Sequence, residues 1–200
     1  RGKESSSALI NFAPFTNTNS LAIYNGATFD DRNGGVMSFD GTNDAGVVND
    51  YDALNAVTSS VSLSSWFYLN GLPGGETPLI RKDDQWAIQM LSSTSIRCLV
   101  KTTGGTTGWT GDNDVTFNFA TGRWYNMTMT WDGSYMRIYM DAVLLKTASV
   151  TGTLNTNSNQ TRIAARSRYL NGYMGNVLIN STGLTGDEVR RNYEAAKGRD

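Results

Sequence analysis

Hydrophobic and polar residues alternate with a period of two along most of this chain. The runs are VSLSSWFYL at 61–69, QWAIQML at 85–91, SIRCLVK at 95–101, VTFNFA at 115–120, WYNMTMTW at 124–131, YMRIYM at 135–140 and NGYMGNVLIN at 171–180. A strand imposes that period because successive side chains leave opposite faces of the sheet. Gly-Gly at 34–35, 74–75 and 104–105, Asp132-Gly133 and the Asn/Thr tract at 155–161 interrupt the runs where turns belong. The pattern predicts an all-β protein without internal repeats.

The hairpin WYNMTMTWDGSYMRIYMDAVLL is the clearest case. Tyr125, Met127, Met129 and Trp131 share one face, and after Asp132-Gly133 so do Met136, Ile138 and Met140. These residues, with Leu63 and Trp66, are expected to lie between two sheets, the methionines as core filler. The tail changes period. Thr185 and Glu188 have the spacing of a capping box, Leu184 and Val189 that of a hydrophobic staple, and Val189, Tyr193 and Ala196 mark one helical face. Lys197 suits the negative end of the helix dipole and Gly198 a stop, so one short helix is predicted there. In MSFDGTNDAGVVND, at 37–50, an EF-hand counted from Asp40 would put Thr42 third, Ala45 sixth and Tyr51 twelfth. A calcium loop needs glycine at the sixth position and glutamate at the twelfth. The stretch therefore reads as strand, turn and strand.

The 200 residues fit one domain. With 18 acidic and 17 basic residues, no histidine and a net charge of −1, nothing steers the chain towards nucleic acid or an anionic membrane. No segment approaches the roughly 20 apolar residues of a membrane-inserting helix. TNTNS, LSSTS, TTGGTTG and LNTNSNQT supply a neutral hydrogen-bonding surface that suits extracellular or virion proteins. Cys98 is the only cysteine, so no internal disulfide forms, and it reads as a small half-buried side chain. The opening RGKESSS has neither initiator Met nor apolar leader, which suggests a processed or trimmed chain.

Taken in order, SFDGTND, SVSLSSWFYL, GRWYNMTMTWDGSYMRIYMDAVLL, TRIAAR, LNGYMGNVLI and LTGDEVRRNYEAAKGR resemble the laminin-G-like, pentraxin-like branch of the concanavalin A-like lectin/glucanase superfamily, over about residues 34–198. NGATFDDRNGGVMSFDGTND together with NYEAAKGR is similar to versions of this domain in tailed-phage structural proteins. The resemblance implies a two-sheet antiparallel jelly-roll sandwich with one short C-terminal α-helix. Residues 34–200 would form the sandwich and residues 1–33 an N-terminal arm or edge strand of the same domain. Where the family repeats Asp-Gly, this chain has Asp141-Ala142. Alanine resists the positive φ of a two-residue type I′ turn, so another turn is expected. Gly175-Asn176 stand where several relatives carry an acidic ligand for structural calcium. No metal site or cofactor is therefore expected, with a weak structural calcium left open.

Glucan-cleaving members of the superfamily resemble one another in a Glu-x-Asp-x-x-Glu strand whose carboxylates stand about 5 Å apart. Here Glu4, Glu76, Glu188 and Glu194 fall in no such motif, and the chain has no histidine for a triad. Aspartate pairs such as Asp50 with Asp52 or Asp112 with Asp114 are the remaining route to hydrolysis. The expectation is a non-enzyme with no catalytic residues. Binding would use rings and amides on loops: Trp109 with Asp112, Asn113 and Asp114, and Arg166 and Arg168 with Tyr169, which could grip an acidic sugar or a neighbouring subunit. Trp86 sits in a strand and reads as core, and Asn126, Asn159 and Asn180 match the N-glycosylation pattern at chance level. The favoured function is a virion surface or structural module of a tailed phage, in a fibre, tail or capsid decoration. It would touch host glycans and join other virion subunits in an oligomeric assembly through an arm containing Leu9, Ile10, Phe12 and Phe15. The alternative is a secreted bacterial carbohydrate-binding lectin or adhesin, with a glycan-cleaving enzyme third.

Overall fold

The computed structural model describes residues 8–11, 21–30, 35–50, 52–104 and 113–197. In chain order the first elements are β1 (Ala8–Asn11), β2 (Leu21–Tyr24), β3 (Thr28–Asp30), β4 (Val36–Asp40), β5 (Ala45–Val48), the single turn α1 (Asp52–Asn55) and β6 (Val61–Leu69). Then come β7 (Thr77–Lys82), β8 (Trp86–Ser92), β9 (Ser95–Val100), β10 (Thr102–Thr103), β11 (Asp114–Thr116), β12 (Trp124–Trp131), β13 (Tyr135–Met140) and β14 (Val143–Ser149). β15 (Thr153–Leu154), β16 (Thr161–Ile163), β17 (Asn171–Asn180) and the helix α2 (Gly186–Ala196) complete the chain.

Two antiparallel sheets face each other, as the alternation requires of a chain with two sets of oily faces to bury. One runs β14-β13-β12-β6-β17-β4-β3, with β1 alongside the later part of β17, and the other runs β11-β9-β8-β7-β16-β5-β2. Leu63, Phe67, Tyr125, Met127, Met129, Trp131, Met136 and Ile138 from the first sheet meet Ile80, Trp86, Ile88, Met90 and Ile96 from the second in one buried cluster. The protein is thus all-β with a short C-terminal helix, as the pattern predicts, and its two sheets form the jelly-roll that the resemblance implies.

Trp66 departs from its expected place. It is buried, but strand parity puts Leu63, Ser65 and Phe67 towards the core and Trp66 on the opposite face, where its ring stacks on Tyr193 of α2 at 5.3 Å. Tyr139, on the same outer face, packs with Leu184 and Val189. The capping box forms: the Glu188 amide donates to Thr185 Oγ1 at 3.3 Å, and the Thr185 amide donates to Glu188 Oε2 at 2.8 Å. Gly198 lies outside the described residues.

Three further expectations need correction. The run at 115–120 is a strand only to Thr116, because the Phe117 and Phe119 amides donate to the Thr94 and Ser93 carbonyls of a turn. Cys98 is fully rather than half buried, and burial pushes its thiol above the usual range. Asp141-Ala142 does adopt the positive-φ turn, at φ 50° and 61°. The Asp141 carboxylate holds it, accepting the Asn126 amide on Oδ1 and Arg123 on Oδ2, each at 2.8 Å. Alanine at that φ is strained, so Ala142→Gly should raise stability by about 1 kcal/mol. A urea midpoint below that of the parent would show that the turn is unstrained.

Candidate functional site

Three loops cross between the sheets at one end of the sandwich: residues 41–44 from β4 to β5, 70–76 from β6 to β7, and 164–170 from β16 to β17. The register brings them together, since Asn171 stands opposite Asp40 and Gly172 opposite both Phe39 and Leu69. Between the loops lies a cleft of about 370 Å³ whose wall includes Thr42, Leu72, Arg168, Tyr169 and Asn171.

Asn171 is the pivot. Its carbonyl accepts the amides of Asn70 and Gly71 at 3.0 and 3.3 Å. A Cβ on Gly41 or Gly71 would come within 2.8 Å of the Asn171 side chain, and Gly41 has φ +80°. Two glycines thus let the first two loops close around this asparagine. Leu72 stands half exposed at the cleft.

The third loop is held from below. Arg166 N–H donates to the Arg168 carbonyl at 3.1 Å and Leu170 N–H to that of Ala164 at 3.0 Å, so Arg168 and Tyr169 ride on a closed loop. The Arg166 guanidinium lies 3.1 Å from Asp83 and 3.8 Å from Glu76. The same two acids bind Arg81, at 2.6 and 3.2 Å, and Arg81 also donates to Gln89 Oε1 at 2.9 Å. Burial alone would raise the Asp83 carboxyl. The hydrogen bond and charge of Arg81, aided by Arg166 and Arg162, outweigh that and hold it below its ordinary value of 3.8.

Only part of the sequence-derived binding set meets here. Arg168 and Tyr169 line the cleft, and Arg166 anchors their loop. Asn113 is buried, and Asp114 forms a two-pronged pair with Arg97, at 2.6 and 2.7 Å, on the outermost strand of the second sheet. That strand is four places from β16 in the sheet order. Trp109 and Asp112 lie outside the described residues. Thr42, Leu72 and Asn171 were missed. Gly74-Gly75 and the Asp40-Gly41 turn signalled loops, but no local signal set them side by side.

The aspartates of the 41–44 turn serve the backbone. Asp40 Oδ1 accepts the amides of Thr42 and Asn43, and Asp44 Oδ2 accepts that of Asp40. In this turn Asp44 Oδ1 is buried without a partner, and among the described residues no three His, Cys, Asp or Glu side chains converge.

A sandwich of this order with its cleft among the crossing loops defines a lectin-like jelly-roll protein. Residues 40–190 match a laminin G family model described as the concanavalin A-like lectin/glucanases superfamily, and the chain belongs to that family. Among solved structures it is similar to the binding domain of botulinum neurotoxin DC in complex with rat synaptotagmin II, at 14% identity and TM-score 0.75. It is also similar to that binding domain in complex with SialylT, at 14% identity and TM-score 0.73. A third structure concerns cell entry of botulinum neurotoxin type C, dependent upon interaction with two ganglioside molecules, at 14% identity and TM-score 0.71. In each case 96% of this chain aligns with 52% of the other, so the chain spans about half the length of these structures. At such identities the likeness is one of fold. No curated protein matches the chain by sequence.

Proposed function

We propose that this chain is a non-enzymatic glycan-binding module displayed on the virion of a tailed phage, in a fibre, tail or capsid decoration, with the crossing-loop cleft as its sugar site. The observation that carries the binding role is the convergence of Tyr169, Arg168, Thr42 and Asn171 on one cleft. A phenol ring offers a face to the C–H side of a sugar, while guanidinium, hydroxyl and amide groups satisfy its hydroxyls or a carboxylate. Glu76 and Glu188 are engaged in an ion pair and a cap, which supports binding without cleavage. No cofactor enters this reading. The sequence resemblance to tailed-phage domains supports the virion setting, where neighbouring subunits would be partners through the N-terminal arm. Residues Ala8–Asn11 of that arm pair with β17 of the same chain. A secreted bacterial lectin or adhesin is the second reading, favoured by the fold shared with bacterial toxin binding domains.

A glycan array with the parent, Arg168→Ala and Tyr169→Ala tests the site. Each variant should lose at least about tenfold in affinity, some 1.4 kcal/mol, with Tm unchanged. Full binding by both variants would remove the cleft from consideration, and presence of the chain in purified phage particles decides between the two settings.

A further inference from the structure

Among the described residues, Lys82 is the one lysine with a fully buried side chain. It ends β7 at the opposite end of the sandwich from the cleft. Its Nζ lies 2.6 Å from Asp50 Oδ1 and 3.1 Å from Asn55 Oδ1, and the Trp86 ring lies 5.9 Å away. The second Asp50 oxygen, Oδ2, accepts a hydrogen bond from Asn55 Nδ2 at 2.6 Å. Amine, amide and carboxylate therefore close a ring, with one carboxylate touching both nitrogens. An ion pair alone accounts poorly for this arrangement, because desolvating two charges offsets what their attraction returns, and it gives no role to the short contact between carboxylate and amide.

We propose that Lys82 and Asn55 become joined by an isopeptide bond that the folded chain forms on itself, with Asp50 as proton carrier. Lys82 Nζ–H passes a proton to Asp50 Oδ1, which frees the nitrogen lone pair. Nζ then attacks Asn55 Cγ, and the carbonyl electron pair moves onto Oδ1. When that pair returns, the Cγ–Nδ2 bond breaks. Of the three ammonium protons, one stays on the new amide nitrogen and two pass through Asp50 to Nδ2. That nitrogen leaves as ammonium, and the Asp50 carboxylate is restored. Nothing is oxidised or reduced, and no co-reactant is needed. Proximity supplies the driving geometry: an amine held against one amide carbonyl reacts as if at very high local concentration. Burial of Nζ keeps water from competing for the intermediate. The product would tie the α1 turn covalently to the last residue of β7, independently of any ligand in the cleft.

Intact-mass spectrometry of the folded full chain is the test, followed by proteolysis and fragment sequencing. The parent should weigh about 17 Da less than its sequence requires, the mass of one ammonia. The digest should contain a branched peptide joining positions 55 and 82. Asn55→Ala and Asp50→Asn should both show their full sequence masses. The parent result stands even if a variant fails to fold. A parent at full sequence mass overturns the proposal. So does a loss of about 18 Da mapped to Asp50, which would be water lost from a carboxyl, or a 17 Da loss mapped to a succinimide elsewhere. Cross-linking in Asp50→Asn would remove Asp50 as the proton carrier.

Discussion

Trp131→Ala should cost about 3–5 kcal/mol, a large part of what a domain of this size has to lose. The ring has no exposed surface and sits in the main cluster, with Val61 and Met136 as its cross-strand neighbours on β6 and β13. Its truncation would open a cavity between the sheets, and the surrounding strands can fill it only in part. The indole Nε1–H also donates to the Val150 carbonyl at 2.7 Å inside the protein, so the variant leaves that acceptor unpaired. Urea denaturation followed by circular dichroism reads the effect. A variant within 1 kcal/mol of the parent would mean that the β12 face assigned to the core is not the packed one.

Arg81→Met should cost about 2–4 kcal/mol. The guanidinium is almost wholly buried and holds Glu76, Asp83 and Gln89 at once. The cost stays below that of a fully enclosed pair because both acids are about one-third exposed, and because Arg166 remains 3.1 Å from Asp83. The pH dependence has a definite sign. The Asp83 carboxyl is depressed in the folded state, so its contribution is complete above the ordinary value of 3.8 and fades as pH falls through the lower folded value. The parent should therefore lose stability on acidification below that value, and Arg81→Met should lose less over the same interval. Parallel acid limbs would show that Arg81 is not what sets the Asp83 carboxyl. Because the same acids anchor Arg166, the variant should also loosen the Arg168–Tyr169 loop and weaken the glycan binding proposed for the cleft in step with its stability.

Where a strand has one wet and one dry face, its limits could be read directly. The 61–69, 124–131, 135–140 and 171–180 runs coincide with β6, β12, β13 and β17. β7 escaped because its sequence, TPLIRK, carries a proline and two cations, yet every residue in it is buried. Ion pairs hold Arg81 inside, Lys82 meets Asp50 and Asn55 there, and an irregularity in the pairing with β8 between Pro78 and Ile80 accommodates the proline. Composition sees only a charged segment. The site was less legible still. Arg168 and Tyr169 drew attention as a charged and aromatic pair, but Thr42 and Leu72 come from distant loops. What unites them is the β17 register and two glycines packed on Asn171, which belong to tertiary structure.

The order of strands has a consequence for synthesis. β17 lies between β6 and β4 in one sheet, and β16 between β7 and β5 in the other. Until residues 161–180 leave the ribosome, each sheet exists as two halves with unpaired edges facing the gap. A nascent chain paused before that point presents four such edges, the form in which β-proteins stick to one another. Chaperone occupancy during translation should peak just before β16 emerges and fall once β17 is free. Truncations ending between β14 and β16 should accumulate as aggregates even though they keep the whole β12–β13 hairpin.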